Sequence, residues 1–240
     1  MRVGLLSLAL ACAIPHAHGH DLISVEAAEK YLAESGRLLK TIASAQPPAQ
    51  RAQAHVALGR MLDDIRDLLN RDLATHGRVQ GLPTNYLLAE FRSRGLEFQL
   101  AAAGNRFLAS PHYYREALRL DPQGARADDA LLGLLRGHFY DSFSSDPLRP
   151  SGQTWALLVE QIRIGETFLK AYPRHAEREE AAFIVLIHYV QASRAAGDSG
   201  IAEQFSEKAR SAIAEFAARY SGSMRAAALQ VLLEGLPRLK

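Results

Sequence analysis

The sequence predicts an all-α protein built from stacked antiparallel helix hairpins, and three observations support this prediction. Apolar residues recur at three- and four-residue steps along most of the chain, which is the spacing that places side chains on one helix face. Prolines and glycines divide the chain into segments of helix length. No alternating run of β-branched and aromatic residues is long enough to indicate a sheet.

The clearest hairpin lies between Phe168 and Tyr189. Pro173 has no backbone N–H and biases the preceding residue away from helical dihedral angles, so we expect one helix to end there. A second helix is expected from Glu179 onward, because the apolar residues that follow share one broad face. The pattern predicts an inner helix that packs on two sides. These apolar residues are Ala182, Phe183, Leu186, Ile187 and Val190, flanked by Ile184, Val185 and Tyr189.

The same reasoning predicts helices before and after this hairpin. Asp21 or Ser24 is expected to cap the first helix, and Pro47-Pro48 to end it. Gly95 falls in the middle of the third predicted helix, at a cost of about 1 kcal/mol relative to alanine. The predicted helices cover residues 24–45, 49–75, 84–102, 111–120, 125–143, 155–172, 201–220 and 223–236, each bounded by proline, glycine or capping residues.

The amino-terminal residues are typical of a secretory signal peptide. A single arginine precedes an apolar run over residues 3–14, and Pro15 and the small-residue pattern Ala17-His18-Gly19 follow. We expect cleavage after Gly19, so residues 1–19 are the predicted signal peptide and His20 is the predicted mature amino terminus. This pattern predicts an exported, periplasmic protein.

Cys12 is the only cysteine, and it offers an alternative interpretation of this segment. Acylation of Cys12 would make the protein a membrane-anchored lipoprotein. Ala9, three positions earlier, is smaller than the residue expected there, which favours simple cleavage. After cleavage the mature chain has no cysteine, so disulfide and thiolate chemistry are excluded.

Charge and hydropathy exclude two classes of partner. The chain has 28 basic and 26 acidic residues with both signs interspersed, so no basic stripe indicates nucleic-acid binding. No later segment reaches the roughly 18 uninterrupted apolar residues that a membrane span requires, so no transmembrane span is predicted in the mature chain. Oligomeric state is left open.

Several segments of the chain resemble one another. Phe168 lies four residues before Tyr172-Pro173, and Phe216 lies four residues before Tyr220-Ser221. A looser copy is formed by Ala117-Leu118 ahead of Asp121-Pro122, and Leu-Gly or similar pairs follow the breaks, as at Leu58-Gly59 and Leu132-Gly133. These residues resemble tetratricopeptide repeats, in particular those of bacterial envelope proteins such as the outer-membrane barrel-assembly lipoprotein and the Tol-Pal coordinator.

This resemblance implies an irregular tetratricopeptide-like α-solenoid over residues 111–240, and a helical region that is only weakly repeat-like over residues 20–110. It also implies that the first helix of each pair lines a concave surface. A groove of that kind would bind an extended peptide or a partner helix. The ligand-facing offsets of the family fall on His55, Asp63, Asp129, Arg136, Glu180 and His188, which are the predicted partner-binding residues.

Motifs for catalysis or metal binding are not found. The sequence has no Gly-x-Ser-x-Gly elbow, no His-Glu-x-x-His pair and no glycine-rich phosphate loop, so no catalytic residue, metal ligand or cofactor is predicted. His20 can chelate copper as a mature amino terminus, but the sequence names no second ligand. Glu90, Glu160 and Glu166 are the candidates if the protein is a hydrolase.

We therefore expect an exported, non-catalytic helical-repeat scaffold that binds an envelope protein or peptide. The first alternative is a periplasmic binder of a small ligand or metal in a pocket between helices. The second alternative is a hydrolase of unrecognised family. A ring pair at Tyr113-Tyr114 and the single Trp155 are further candidates for ligand stacking, or for helix packing.

Overall fold

The computed structural model describes residues 23–44, 46–79, 81–101, 106–108, 110–142, 155–234 and 236. The all-α class is confirmed, since these residues form nine α-helices, one 3₁₀ turn and a single pair of two-residue strands. The predicted signal peptide, Cys12 and His20 lie outside the described residues. The helices are α1 (Val25–Ala43), α2 (Pro48–His76), α3 (Leu82–Ser93), α4 (His112–Leu120), α5 (Ala127–Ser142), α6 (Trp155–Ala171), α7 (Arg178–Ala195), α8 (Ser199–Arg219) and α9 (Leu229–Glu234), with the 3₁₀ turn at Met224–Ala228.

Capping residues set the first helix boundaries much as predicted. The Ser24 side chain accepts a hydrogen bond from the Ala27 N–H at 3.1 Å, so Ser24 is the cap of α1. Pro48 is the first residue of α2, where its missing N–H has no helical partner to lose. No helix of the described residues is long and apolar enough to cross a membrane.

The third predicted helix is wrong in its second half. The helix α3 ends at Ser93, because Gly95 takes a left-handed conformation with φ of 74°. The Leu96 N–H then donates to the Phe91 carbonyl at 2.9 Å and closes the helix end. Strand β1 (Gln99–Leu100) follows and pairs antiparallel with β2 (Phe107–Leu108). Gly95 is therefore a helix terminator and does not lie in a helix interior.

Apart from α3, each main helix packs beside the next one in the chain. The order of contacts runs α1–α2, α2–α4, α4–α5, α5–α6, α6–α7 and α7–α8, with α3 lying on α1. In addition α2 contacts α5, and α5 contacts α7. The helices α2, α5 and α7 therefore form one continuous row. These contacts agree with stacked hairpins, whereas the tetratricopeptide assignment stays a prediction.

Two apolar cores stabilise the array, and α2 contributes to both. Leu58, Leu62 and Ile65 of α2 pack with α1 and α3, while Ala52 and Val56 belong to the larger core that extends to the carboxyl terminus. The predicted regions 20–110 and 111–240 are thus joined through a shared helix. Both cores hold α2 in place, and the larger core holds α5 and α7.

The predicted hairpin at Pro173 is present. The helix α6 ends at Ala171, and the Tyr172 N–H donates to the Phe168 carbonyl at 2.9 Å. The end of α8 has the same geometry, with Tyr220 N–H donating to Phe216 at 2.8 Å. In both tails the phenylalanine is buried and its ring contacts the tyrosine ring. The sequence similarity of the two tails therefore corresponds to a similarity of structure.

Candidate functional site

A polar cavity of about 580 Å³ lies against the row α2–α5–α7. We call it the inner cavity. Its wall comes from one face of α2, from α5, from the first turn of α7 and from one tyrosine of α4. Eight of its eleven lining residues are charged, so binding there depends on electrostatics more than on apolar contact. The lining residues are Arg60, Asp63, Asp64, Arg66, Asp67, Tyr114, Asp129, Leu132, Gly133, Arg136 and Glu180.

Tyr114 fixes the position of α4 against the cavity. Its ring lies between Gly59 and Gly133, and a Cβ added at Gly59 would sit 2.9 Å from the ring. The same addition at Gly133 would overlap the ring. This explains why the Leu-Gly pairs recognised in the sequence carry glycine, since any side chain there would push α4 away from α2 or α5.

The Tyr114 hydroxyl donates a hydrogen bond to Asp63 Oδ2 at 2.6 Å. Burial, and then the nearby Asp63 charge, raise the pKa of Tyr114, so it remains a donor at neutral pH. Asp63 also pairs with Arg66 at 2.7 Å, and Arg66 reaches Asp67 at 2.8 Å. Only 6% of the Arg66 side chain is exposed, so this network forms a fixed part of the cavity wall.

Arg136 links α5 to the start of α7. It contacts Glu180 at 2.5 Å and Glu177 at 2.6 Å. Burial alone would lower the pKa of Arg136, but the hydrogen bonds to Glu180 and Glu177 outweigh burial and raise it. The guanidinium is therefore a permanent cation that holds two carboxylates at this side of the cavity.

Asp129, in the wall of the inner cavity, is one carboxylate that pairs with two cations, of which Arg126 lines a neighbouring cavity. Asp129 Oδ1 lies 3.1 Å from Arg60, and Asp129 Oδ2 lies 2.5 Å from Arg126. Asp129 is the more buried partner, with 13% of its side chain exposed against 48% for Arg60 and 41% for Arg126. The exposed faces of both guanidiniums remain open to a ligand.

Asp64 is the one carboxylate of the inner cavity that makes no hydrogen bond or ion pair within the described part of the chain. It lies on the same face of α2 as Arg60 and Asp67 and is exposed. Burial by its surroundings, and then the charge of Asp67, raise the pKa of Asp64. A cationic group beside it would relieve this repulsion.

Four of the six predicted partner-binding residues line the inner cavity, namely Asp63, Asp129, Arg136 and Glu180. The structure therefore brings together residues from three different helices that the sequence placed on one surface. Whether this surface binds a partner stays a prediction.

The two predicted histidines are not in the cavity, which corrects their placement on the groove surface. His188 is fully buried, its ring lies edge-on to Phe139 of α5, and its Nδ1 lies 2.9 Å from Gln191 Oε1. His55 is 6% exposed and its ring contacts Tyr113 of α4. Both side chains point into helix–helix contacts, so they are core residues in this structure.

Trp155 and the three candidate glutamates from the sequence lie outside the lining of the inner cavity. Trp155 is 40% exposed and lies edge-on to Phe205 of α8. Glu166 accepts hydrogen bonds from Tyr189 and Lys208, and Glu160 and Glu90 pair with arginines. Within the described residues no group of three or more His, Cys, Asp or Glu side chains is arranged to hold a metal ion.

Six further residues complete the site and were not among the predicted partner-binding residues, although Tyr114 was a candidate for ligand stacking or helix packing: Arg60, Asp64, Arg66, Asp67, Tyr114 and Glu177. For α2 a signal was present, because Arg60, Asp64 and Asp67 recur at four- and three-residue steps outside its apolar stripe. Tyr114 was a candidate from its aromatic ring alone, and its place between Gly59 and Gly133 follows only from the packing of the helices. For Glu177 the sequence offers no comparable signal, since it reaches the site through its contact with Arg136, 41 positions earlier in the chain.

No protein-family model matches the chain, and neither a curated protein nor a solved structure shows significant similarity to it.

Proposed function

We propose that this protein is a non-catalytic scaffold of the cell envelope that binds a protein or peptide partner in the inner cavity. The observation that carries the proposal is the cavity itself, which is open to solvent and lies on three consecutive helices of one row. In the part of the chain that the structure describes, all its charged side chains except that of Asp64 are held by ion pairs, and Tyr114 also binds Asp63, so these groups are positioned before a ligand arrives. Such preorganisation lowers the entropic cost of binding.

The chemistry of the wall supports binding in preference to catalysis. The carboxylates of Asp63, Asp129 and Glu180 are paired with guanidiniums, which stabilises their charged form and weakens them as proton acceptors in the resting protein. A general base needs a free lone pair within reach of the proton that it takes. Asp64 has one, but it faces solvent and no second acid or nucleophile lies paired with it in the described residues.

The volume of the cavity also supports one alternative, a small ligand, because sites for such ligands commonly have about 300–1,000 Å³. Those sites are mostly lined by apolar side chains, whereas among the described residues Leu132 is the one large aliphatic residue in this wall. The lining therefore favours an extended polar or charged segment of a partner. The envelope location rests on the amino-terminal residues and on the repeat-like tails.

Site-specific photo-cross-linking tests the proposal in the cells that make the protein. A benzophenone amino acid replaces Asp64 in one full-length variant and Glu203 in another. Glu203 is also an exposed carboxylate, lies on α8 outside the lining of the cavity, and makes no hydrogen bond or ion pair within the described residues, which makes it a matched control. We expect a specific cross-linked protein from position 64 and none from position 203.

Two results would count against the scaffold. The absence of any protein adduct from position 64, combined with a small molecule that co-purifies at one equivalent, would support the alternative. Equal and diverse adducts from both positions would show that the cavity has no special role.

A further inference from the structure

We infer, resting on the proposed function, that the partner enters the inner cavity as an extended peptide segment with a carboxylate and a basic side chain about three residues apart. The carboxylate binds beside Arg60 and Arg126, and the basic side chain binds beside Asp64 and Asp67. The inference follows from the uneven distribution of charge between the two sides of the site.

One side has an excess of carboxylates. The structure places four carboxylates, Asp63, Asp67, Glu177 and Glu180, within ion-pair distance of Arg66 or Arg136. Asp64 adds a fifth carboxylate without a pair in the described residues. Asp64 and Asp67 are both exposed at the mouth of this open cavity, so a cationic side chain can reach them directly.

The other side has an excess of guanidiniums, since Arg60 and Arg126 share the single carboxylate of Asp129. A second cavity of about 450 Å³ begins at Arg126 and continues between α1 and α2. Gln50 and Gln53 line it and add further hydrogen-bond donors, whereas Arg37, which also lines it, is paired with Glu34 at 2.6 Å. Arginines that present free N–H groups match the geometry of a carboxylate.

The two cavities lie along one face of α2, which gives the ligand a direction. Gln53, Ala57, Arg60, Asp64 and Asp67 recur at three- and four-residue steps, and each of them lines one of the two cavities. Arg60 and Asp67 are seven residues apart, which on a helix is about 10 Å. An extended peptide covers this distance in about three residues.

A metal ion fits this site less well than a basic side chain. The guanidiniums of Arg60, Arg66 and Arg136 all face the same cavity and would repel a divalent cation. A lysine or arginine side chain brings a single charge and several donors, and its peptide carries the carboxylate that the arginine side requires. A peptide that carries both a basic side chain and a carboxylate therefore pairs with the acidic side and the arginine side of the site at once.

A random twelve-residue peptide library tests the inference with the full chain as bait. The library is displayed once with a free carboxyl terminus and once fused at both ends, so that a terminal carboxylate is distinguished from Asp or Glu. We expect Lys or Arg three positions from a carboxylate to be enriched about fivefold over the unselected library, the scale of one charge pair.

Charge-reversed variants identify the residues of the protein that select the charged positions of the peptide. Asp64→Lys combined with Asp67→Lys should abolish the enrichment of basic residues and leave that of carboxylates, while Glu203→Lys with Glu207→Lys on exposed positions of α8 should change neither. If the charge-reversed variant does not fold, the double variant Asp64→Asn with Asp67→Asn replaces it, and circular dichroism verifies that this variant is folded. It should reduce the enrichment of basic residues in the same direction.

The possible outcomes separate this inference from the proposed function. Selected peptides without the paired charges, or a pattern unchanged by the variants at positions 64 and 67, would overturn the inference. The same holds if no peptide is selected while position 64 still cross-links to a protein. If neither peptides nor a cross-linked protein are found, the proposed function fails as well.

Discussion

Acidification should destabilise the protein through His188. This side chain is fully buried, and burial lowers its pKa from 6.5 to about 4, with the hydrogen bond to Gln191 opposing and the nearby His138 adding to the shift. Its Nε2 has no hydrogen-bond partner within the described residues, and neither does the side chain of the buried Gln161. The folded state therefore provides little compensation for a charge on this ring.

The sign of the effect follows from the two pKa values. The unfolded chain takes up a proton on this imidazole at its ordinary pKa of 6.5, whereas the folded chain takes it up only near pH 4. Stability from this group is thus complete above pH 6.5 and is lost as the pH falls towards 4. Between pH 7 and pH 5 the loss amounts to about 2 kcal/mol, and it approaches about 3 kcal/mol below pH 4.

Urea denaturation followed by circular dichroism at several pH values between 7 and 5 measures this loss. His188→Gln cannot titrate and should reduce the fall in unfolding free energy by about 2 kcal/mol. His112→Gln, at an exposed histidine of α4, should retain the full fall. If His188→Gln loses as much stability as the wild type over this range, His188 is not the group responsible, and its assignment to the core is wrong.

Three further changes test the construction of the inner cavity, each by urea denaturation. Gly133→Ala should cost about 1–3 kcal/mol because its Cβ overlaps the Tyr114 ring, while Gly197→Ala, which meets nothing within 4 Å, should change stability by less than about 0.5 kcal/mol. Tyr114→Phe should cost about 1–2 kcal/mol by removing the hydrogen bond to Asp63, and an unchanged stability would show that this bond has no net value. Arg136→Ala should cost about 1 kcal/mol, because the residue is part-exposed and its two glutamate partners lose their cation; a larger loss in 1 M salt than in 0.05 M salt would contradict an ionic cause.

The fold class follows from the sequence because its determinants are local. Pro173 ends a helix wherever it lies, and the broad apolar face after Glu179 belongs to a helix buried on both sides, as α7 is. Gly95 shows the limit of this reasoning. A glycine can either stay in a helix at a cost or end the helix. At Gly95 the outcome depends on the phenylalanines that follow, of which Phe98 stacks on Phe91 after the chain has turned.

The inner cavity was predictable in part because helix geometry relates the residues of one helix. Each residue turns the helix by about 100°, so seven residues return to within about 20° of the starting direction, whereas eight leave an offset of about 80°. The two predicted residues of α5 are seven apart and both line the cavity. The pairs on α2 and α7 are eight apart, and in each pair the acidic residue lines the cavity while the histidine does not.

An offset of about 80° moves a side chain from an open face to a packed flank, so a fixed set of offsets places only one member of such a pair on the surface. Which member of the pair lines the surface depends on where the neighbouring helix packs. For α7 that neighbour is α5, where Phe139 covers His188, and for α2 it is α4, where Tyr113 covers His55. These contacts join residues about 50 positions apart, and no periodicity within one helix encodes them. The placement of charged residues on a helix face can thus be predicted from sequence, but the edge of that face is set by the packing of the whole row.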